Sequence, residues 1–105
     1  MFEEDRRNKK ILTPRQAQLK AESYCAYQER SQQEVRDKLY SWGLHEAEVE
    51  NSIANLIAEN FLNEERFAIA YCNGRLRMKG WGKIKIKQAL KGKRVSEQLI
   101  KIAFK

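Results

Sequence analysis

A short signature occurs twice in this chain, and it limits the fold more than any other feature. Ala21-Glu22-Ser23-Tyr24-Cys25 returns as Ala68-Ile69-Ala70-Tyr71-Cys72, 47 residues later. Val35 and Leu39 reappear as Ile86 and Leu90 at an offset of 51, and Leu44-His45 as Val95-Ser96 at the same offset. Ordered agreement of separate stretches marks duplication of one small unit. The slip from 47 to 51 places a four-residue insertion in the second copy, within residues 75–82. With 105 residues the chain holds two such units and no deep cavity.

Capping signals divide each unit into three helices. Thr13-Pro14 is an N-cap followed by proline at the first helical position, and Ala17, Ala21, Tyr24 and Cys25 continue at helical spacing to about Glu29. Ser31-Gln-Gln-Glu34 is a capping box ahead of the apolar stripe Val35, Leu39 and Trp42, and Gly43 suits the left-handed residue past a helix end. Val49, Ile53, Leu56 and Ile57 predict a third helix over 46–59, closed by Asn60. Asn63 caps a fourth, containing Phe67, Ala68, Ala70, Tyr71 and Leu76, which Gly80-Trp81-Gly82 breaks. A fifth spans about 83–91 before Gly92, and Ser96 caps a sixth with Leu99, Ile100 and Ala103. Lys83-Ile84-Lys85-Ile86-Lys87 alternates with the period of a strand, but such a strand has no partner, and its match to residues 31–39 favours helix. The expectation is an all-α fold of two tandem three-helix repeats, six short helices in all: a charged mobile tail over 1–12, a first repeat over 13–60 and a basic second repeat over 61–105.

The formal charge of +7 hides a division. Residues 1–65 carry 9 basic and 13 acidic side chains, whereas residues 66–105 carry 12 basic ones and the single acid Glu97. Residues 75–94 hold nine Lys and Arg with no acid, and residues 44–65 hold six Glu with no Lys or Arg. Folding gains nothing from massing like charges, so the basic run points to an acidic partner, either nucleic-acid phosphate or an acidic protein surface. Lys83, Lys87 and Lys91 fall on one helical stripe, and Arg75 and Lys79 form a similar pair before it. Trp81, set between two glycines, either stacks on a base, anchors a protein contact or plugs the junction between repeats.

Catalytic and metal chemistry find little support. His45 is the sole histidine and stands at an expected helix start; Cys25 and Cys72 recur at equivalent positions on apolar faces and read as small core residues. No zinc-protease, paired-cysteine, nucleophile-elbow or phosphate-loop pattern is present, so neither an enzyme nor a cofactor or small-molecule substrate is expected. No uncharged run exceeds eight residues, which leaves no membrane span or signal-peptide core, and two cysteines without such a signal read as reduced thiols of a cytoplasmic protein.

Three segments resemble the RecX family of bacterial recombination regulators. Arg30-Ser31-x-x-Glu34-Val35-x-x-Lys38-Leu39 is similar to one family segment, Phe61-Leu62-Asn63-Glu64-Glu65-Arg66-Phe67-Ala68-x-x-Tyr71 to a second, and Lys79-Gly80-Trp81-Gly82-Lys83-Ile84 followed by Leu90 to a third. The resemblance implies tandem three-helix repeats, a third repeat beyond the two read here, and a non-enzymatic protein that binds the RecA filament and limits its ATPase and strand exchange without a cofactor. It is carried by residues whose spacing already suits structure. Phe67, Tyr71, Ala21 and Tyr24 are expected in the core, Arg30, Ser31 and Glu34 in capping, and Arg66 and Lys38 in pairs with the glutamate-rich third helix. The candidate partner- or phosphate-binding set is therefore Arg75, Arg77, Lys79, Trp81, Lys83, Lys87 and Lys91, and the alternative function is a small helical DNA-binding module acting without RecA.

Overall fold

A computed structural model describes residues 11–105, and every regular element among them is a helix. The expected tail lies outside the described residues except for Ile11 and Leu12, which belong to the first unit: the Leu12 N–H donates to Trp42 O at 3.0 Å and its side chain packs on the core. Helix α1 (Pro14–Tyr27) starts at a reciprocal cap, Thr13 Oγ1 accepting from Gln16 N while Gln16 Oε1 accepts from Thr13 N. It stops short of Glu29 because Gln28 is fully extended. Arg30 then donates through Nε to Tyr24 O at 2.9 Å, satisfying a carbonyl of the last turn. Helix α2 (Gln32–Ser41) opens at the Ser31–Glu34 box and ends at Trp42, with Gly43 left-handed at φ +93°. A Cβ on Gly43 would lie 2.9 Å from Ile11 Cγ2, so both the backbone angle and the space demand glycine. Helix α3 (Glu46–Ala58) begins at His45, whose backbone N–H donates to Glu48 Oε1 while its imidazole makes no cap bond. Leu56 O then accepts from both Phe61 N and Leu62 N, with Asn60 at φ 64°, folding residues 61–62 back onto the first core.

The second unit repeats the plan. Helix α4 (Glu64–Asn73) is capped by Asn63 Oδ1, which accepts from Arg66 N at 2.8 Å. Leu76, expected within this helix, instead lies in a π-helical turn, Gly74–Met78, that with residues 79–82 fills the region assigned to the insertion. Helices α5 (Lys83–Gly92) and α6 (Glu97–Ala103) complete the unit, and the alternating lysine–isoleucine segment is helical. Gly92 is the last residue of α5 rather than its stop signal. Arg94, 51 residues after Gly43, takes the left-handed conformation at φ 62°. The geometry demands it there: Val95 N–H reaches back to Leu90 O at 3.1 Å, as Leu44 N–H does to Leu39 O in the first unit.

Each unit encloses its own core. In the first, Ala17, Ala21 and Cys25 form a stripe of small side chains that lets α1 lie close to Val35, Leu39, Val49, Ile53 and Leu56. In the second, Ala68 and Cys72 stand against Ile86, Leu90, Val95 and Ile100, and α6 packs on both α4 and α5. Burying a side chain such as Leu39 or Leu90, both 0% exposed, contributes about 2 kcal/mol.

The junction between the units is polar instead. Arg66 Nε meets Glu29 Oε2 at 2.6 Å, and its terminal nitrogens reach Asn60 O, Asn60 Oδ1 and Phe61 O. Lys93 Nζ meets Glu34 Oε2 at 2.9 Å, and Gln32 N donates to Glu64 Oε1 at 2.8 Å. Neither Arg66 nor Lys38 pairs with α3 as expected. Arg36 does, bidentate on Glu50 at 2.7 and 3.1 Å, while Lys38 lies 5.5 Å from the Tyr24 ring centre. The reason is reach: Arg66 is positioned by the Asn63 cap over the end of α1, not beside α3. Two cores in line make the molecule elongated, 49 × 31 × 21 Å, with a radius of gyration of 15.8 Å; a sphere-like chain of this length has about 13 Å.

Candidate nucleic-acid interface

Helix α5 carries the centre of the basic run. Ile86 and Leu90, four apart, anchor it to the core, and Lys83, Lys85, Lys87 and Lys91 occupy four of its exposed positions. Lys83 and Lys85 crowd its first turn, where the positive end of the helix macrodipole disfavours cations, each by about 0.3–1 kcal/mol at low salt. Gly82, the N-cap, supplies no side-chain acceptor to offset this. A phosphate would reverse the sign of that interaction.

The structure places four of the seven candidate residues in two groups on either side of α5. On one side Lys87 Nζ lies 5.6 Å from the Phe104 ring and Lys91 Nζ meets Glu97 Oε2 at 2.8 Å. Lys87, Lys91 and Glu97, together with Ile100 and Lys101, line a groove of about 280 Å³ between α5 and α6. The Glu97 carboxyl is held below the usual carboxylate range by its hydrogen bond to Lys91, with Lys101 and Lys87 adding to the effect. On the other side stands a cationic–aromatic stack. The Arg75 guanidinium lies 4.1 Å from the Tyr71 ring centre and 5.2 Å from that of Trp81, and Lys85 Nζ is 4.2 Å from Trp81. Such contacts contribute about 0.5–2 kcal/mol each.

Arg75 is thus half-buried and held by aromatic rings, with Nε lacking an acceptor among the described residues. Trp81 packs on the second core, and its backbone N–H donates to Arg75 O at 2.9 Å, closing the π turn. Arg77 and Lys79 are exposed on that turn and its cap, and Lys83 is exposed at the start of α5. Lys85, Lys93 and Lys101 were missing from the candidate set. The first two belong to the basic run but fall off the four-residue stripe, and Lys101 approaches only through tertiary packing.

No group of three or more His, Cys, Asp or Glu among the described residues could hold a metal ion. Cys25 and Cys72 are buried free thiols, and burial pushes both upward from the ordinary thiol range, away from the reactive thiolate. Another groove lies between α1 and α3, where Pro14 and Leu19 stand beside neutral polar side chains and the opposed charges of Arg15, Glu22 and Glu48.

Fold and charge together define a tandem three-helix protein with a strongly cationic second unit. Two family models match it: the first three-helix domain of RecX over residues 17–56 and the second three-helix domain of RecX over residues 63–103. The chain belongs to the RecX family. It is 39% identical over 71 residues to a protein named Regulatory protein RecX from Clostridium perfringens (strain 13 / Type A), covering 68% of this chain and 32% of that one. Proteins of the same name from Bacillus mycoides (strain KBAB4) and Bacillus cereus (strain B4264) are each 29% identical over 84 residues, 80% of this chain and 31% of theirs. The chain therefore spans about a third of the length of these relatives. No solved structure matches it.

Proposed function

We propose that this chain is a non-catalytic cytoplasmic regulator that binds the RecA nucleoprotein filament and slows its ATPase and strand exchange. The cationic second unit lies on DNA phosphate and the acidic first unit faces protein. The observation that carries the reading is the nine positive charges of residues 75–94, unaccompanied by acid, in a chain of the RecX family. Electrostatic attraction of this kind brings the protein onto a polyanion, and the elongated shape lets the two units meet different surfaces. Inhibition would follow from occupancy alone: a protein bridging neighbouring recombinase subunits and DNA hinders the subunit motions that ATP turnover and strand exchange require. No helix among the described residues is long and apolar enough to cross a membrane.

The test combines two titrations, inhibition of RecA's DNA-dependent ATPase and binding to bare single- and double-stranded DNA. Inhibition at concentrations where bare DNA is weakly bound supports the reading. Tight binding to bare DNA with no effect on RecA sinks it in favour of a DNA-binding module acting alone.

A further inference from the structure

We infer that the α5/α6 groove is a seat for one backbone phosphate of a nucleic acid, and that Glu97 occupies this seat in the free protein as a built-in competitor. The inference rests on the preceding assignment of DNA to the second unit and goes beyond it by naming the site and its control. Three lysines from two helices meet at the groove: Lys87 and Lys91 from α5 and Lys101 from α6, with Ile100 as its apolar wall. Glu97, the single acid in residues 66–105, stands in it, 2.8 Å from Lys91 and within the field of all three lysines.

A carboxylate held by one ammonium group at 2.8 Å, in a groove that two further lysines line, identifies a place where an anion is favoured. A phosphodiester carries the same single charge and more acceptor oxygens, so it satisfies the lysines at least as well. Both partners of the Lys91–Glu97 pair are more than half exposed, at 57% and 69%, so the pair is weak and exchangeable. When the phosphate enters, Lys91 changes partner and Glu97 swings into solvent. Affinity is thereby lowered in a way that suits a protein acting on a filament rather than on any DNA it meets. The groove is also separate from the Arg75–Trp81 stack, which lies across α5.

The experiment titrates the full chain against a fluorescent single-stranded oligonucleotide across a salt series, with inorganic phosphate as a separate competitor. Glu97→Gln frees Lys91 without changing shape, and affinity is expected to rise by about two- to fivefold. Lys101→Ala is expected to weaken binding by a similar factor and to flatten the slope of log K against log salt by about 0.7. Lys20→Ala, in the first unit, serves as the control that leaves both unchanged. Inorganic phosphate at millimolar concentration should compete weakly, and less so with Lys101→Ala; competition insensitive to Lys101 overturns the site. If wild type binds DNA but Glu97→Gln fails to tighten it, or Lys101→Ala leaves the slope intact, the groove is not the seat while the assignment of DNA to the second unit stands. If neither wild type nor Glu97→Gln binds the oligonucleotide, the assignment of DNA itself fails.

Discussion

Removing the charge of Glu34 should weaken the coupling between the two repeats, because this one carboxylate serves both of them. Its Oε1 accepts the Ser31 N–H at 3.0 Å, closing the capping box of α2, and its Oε2 holds Lys93 Nζ at 2.9 Å across the junction. Glu34→Ala removes both functions. Loss of the reciprocal cap costs about 0.5–1 kcal/mol, and loss of an ion pair whose side chains are about 30% exposed costs up to about 1 kcal/mol more. Glu34→Gln keeps a carbonyl oxygen for Ser31 and loses mainly the second part. Adding Glu29→Gln removes the charge opposite Arg66, so the double variant loses about 1–2 kcal/mol of the coupling between units. Each unit carries its own reporter, since Trp42 packs on the first core and Trp81 on the second. Urea unfolding followed in Trp42→Phe and Trp81→Phe backgrounds therefore reads the units separately. Coincident transitions in the parent should move apart in Glu29→Gln/Glu34→Gln, and small-angle scattering should give the variant a larger radius of gyration than the parent. Unchanged midpoints that still coincide would refute the argument that charge, rather than a shared core, holds the junction.

Three further outcomes follow from the same geometry. Burial pushes the Glu64 carboxyl above the ordinary carboxylate range despite the hydrogen bond it accepts from Gln32 N. A raised carboxyl favours folding below its unfolded value near 4.3 and loses that contribution as pH rises through the folded value. Glu64→Gln, which keeps the acceptor, should accordingly match or exceed the parent's thermal stability at pH 7, with its advantage gone by about pH 3.5; a variant less stable at pH 7 than at pH 3.5, relative to parent, contradicts this. Arg94→Gly relieves the left-handed strain at φ 62° and should stabilise the second unit by about 0.5–1 kcal/mol in urea denaturation monitored at Trp81. Reversing Lys83, Lys87 and Lys91 to Glu should abolish salt-sensitive DNA binding, which loses roughly 0.7–0.9 in slope per phosphate contact removed, while circular dichroism keeps its helical signal because all three residues are exposed. Retention of both DNA binding and RecA inhibition would show that the basic stripe is not the interface.

Helix order was legible in the sequence because capping is local chemistry. Thr13, Ser31, Asn63 and Ser96 each accept a backbone N–H three residues ahead, and that spacing is visible without any knowledge of tertiary contacts. The duplication was equally visible, and its paired positions are buried alike: Val35 and Ile86, Leu39 and Leu90, Ala21 and Ala68, Cys25 and Cys72. The π turn was not legible, since Gly74 and Leu76 fit an α-helical pattern and only the closing bond from Trp81 N to Arg75 O reveals the extra residues.

The charge asymmetry of the second repeat, too, is a property of the sequence alone, and it pointed to an anionic partner before any geometry was known. Which cations act together was decided by tertiary structure. Four of the seven candidates fell into two groups, Arg75 with Trp81 and Lys87 with Lys91, because α5 turns Lys85 toward Trp81 and Lys87 toward Phe104. Lys101 joined them from another helix, and Lys93 left to hold Glu34, 59 residues away in the chain. Helix caps and repeats depend on neighbours a few residues apart, so sequence spacing determines them. The meeting of like charges around Glu97, and of opposite charges at the junction, depends on distances through space that folding alone sets.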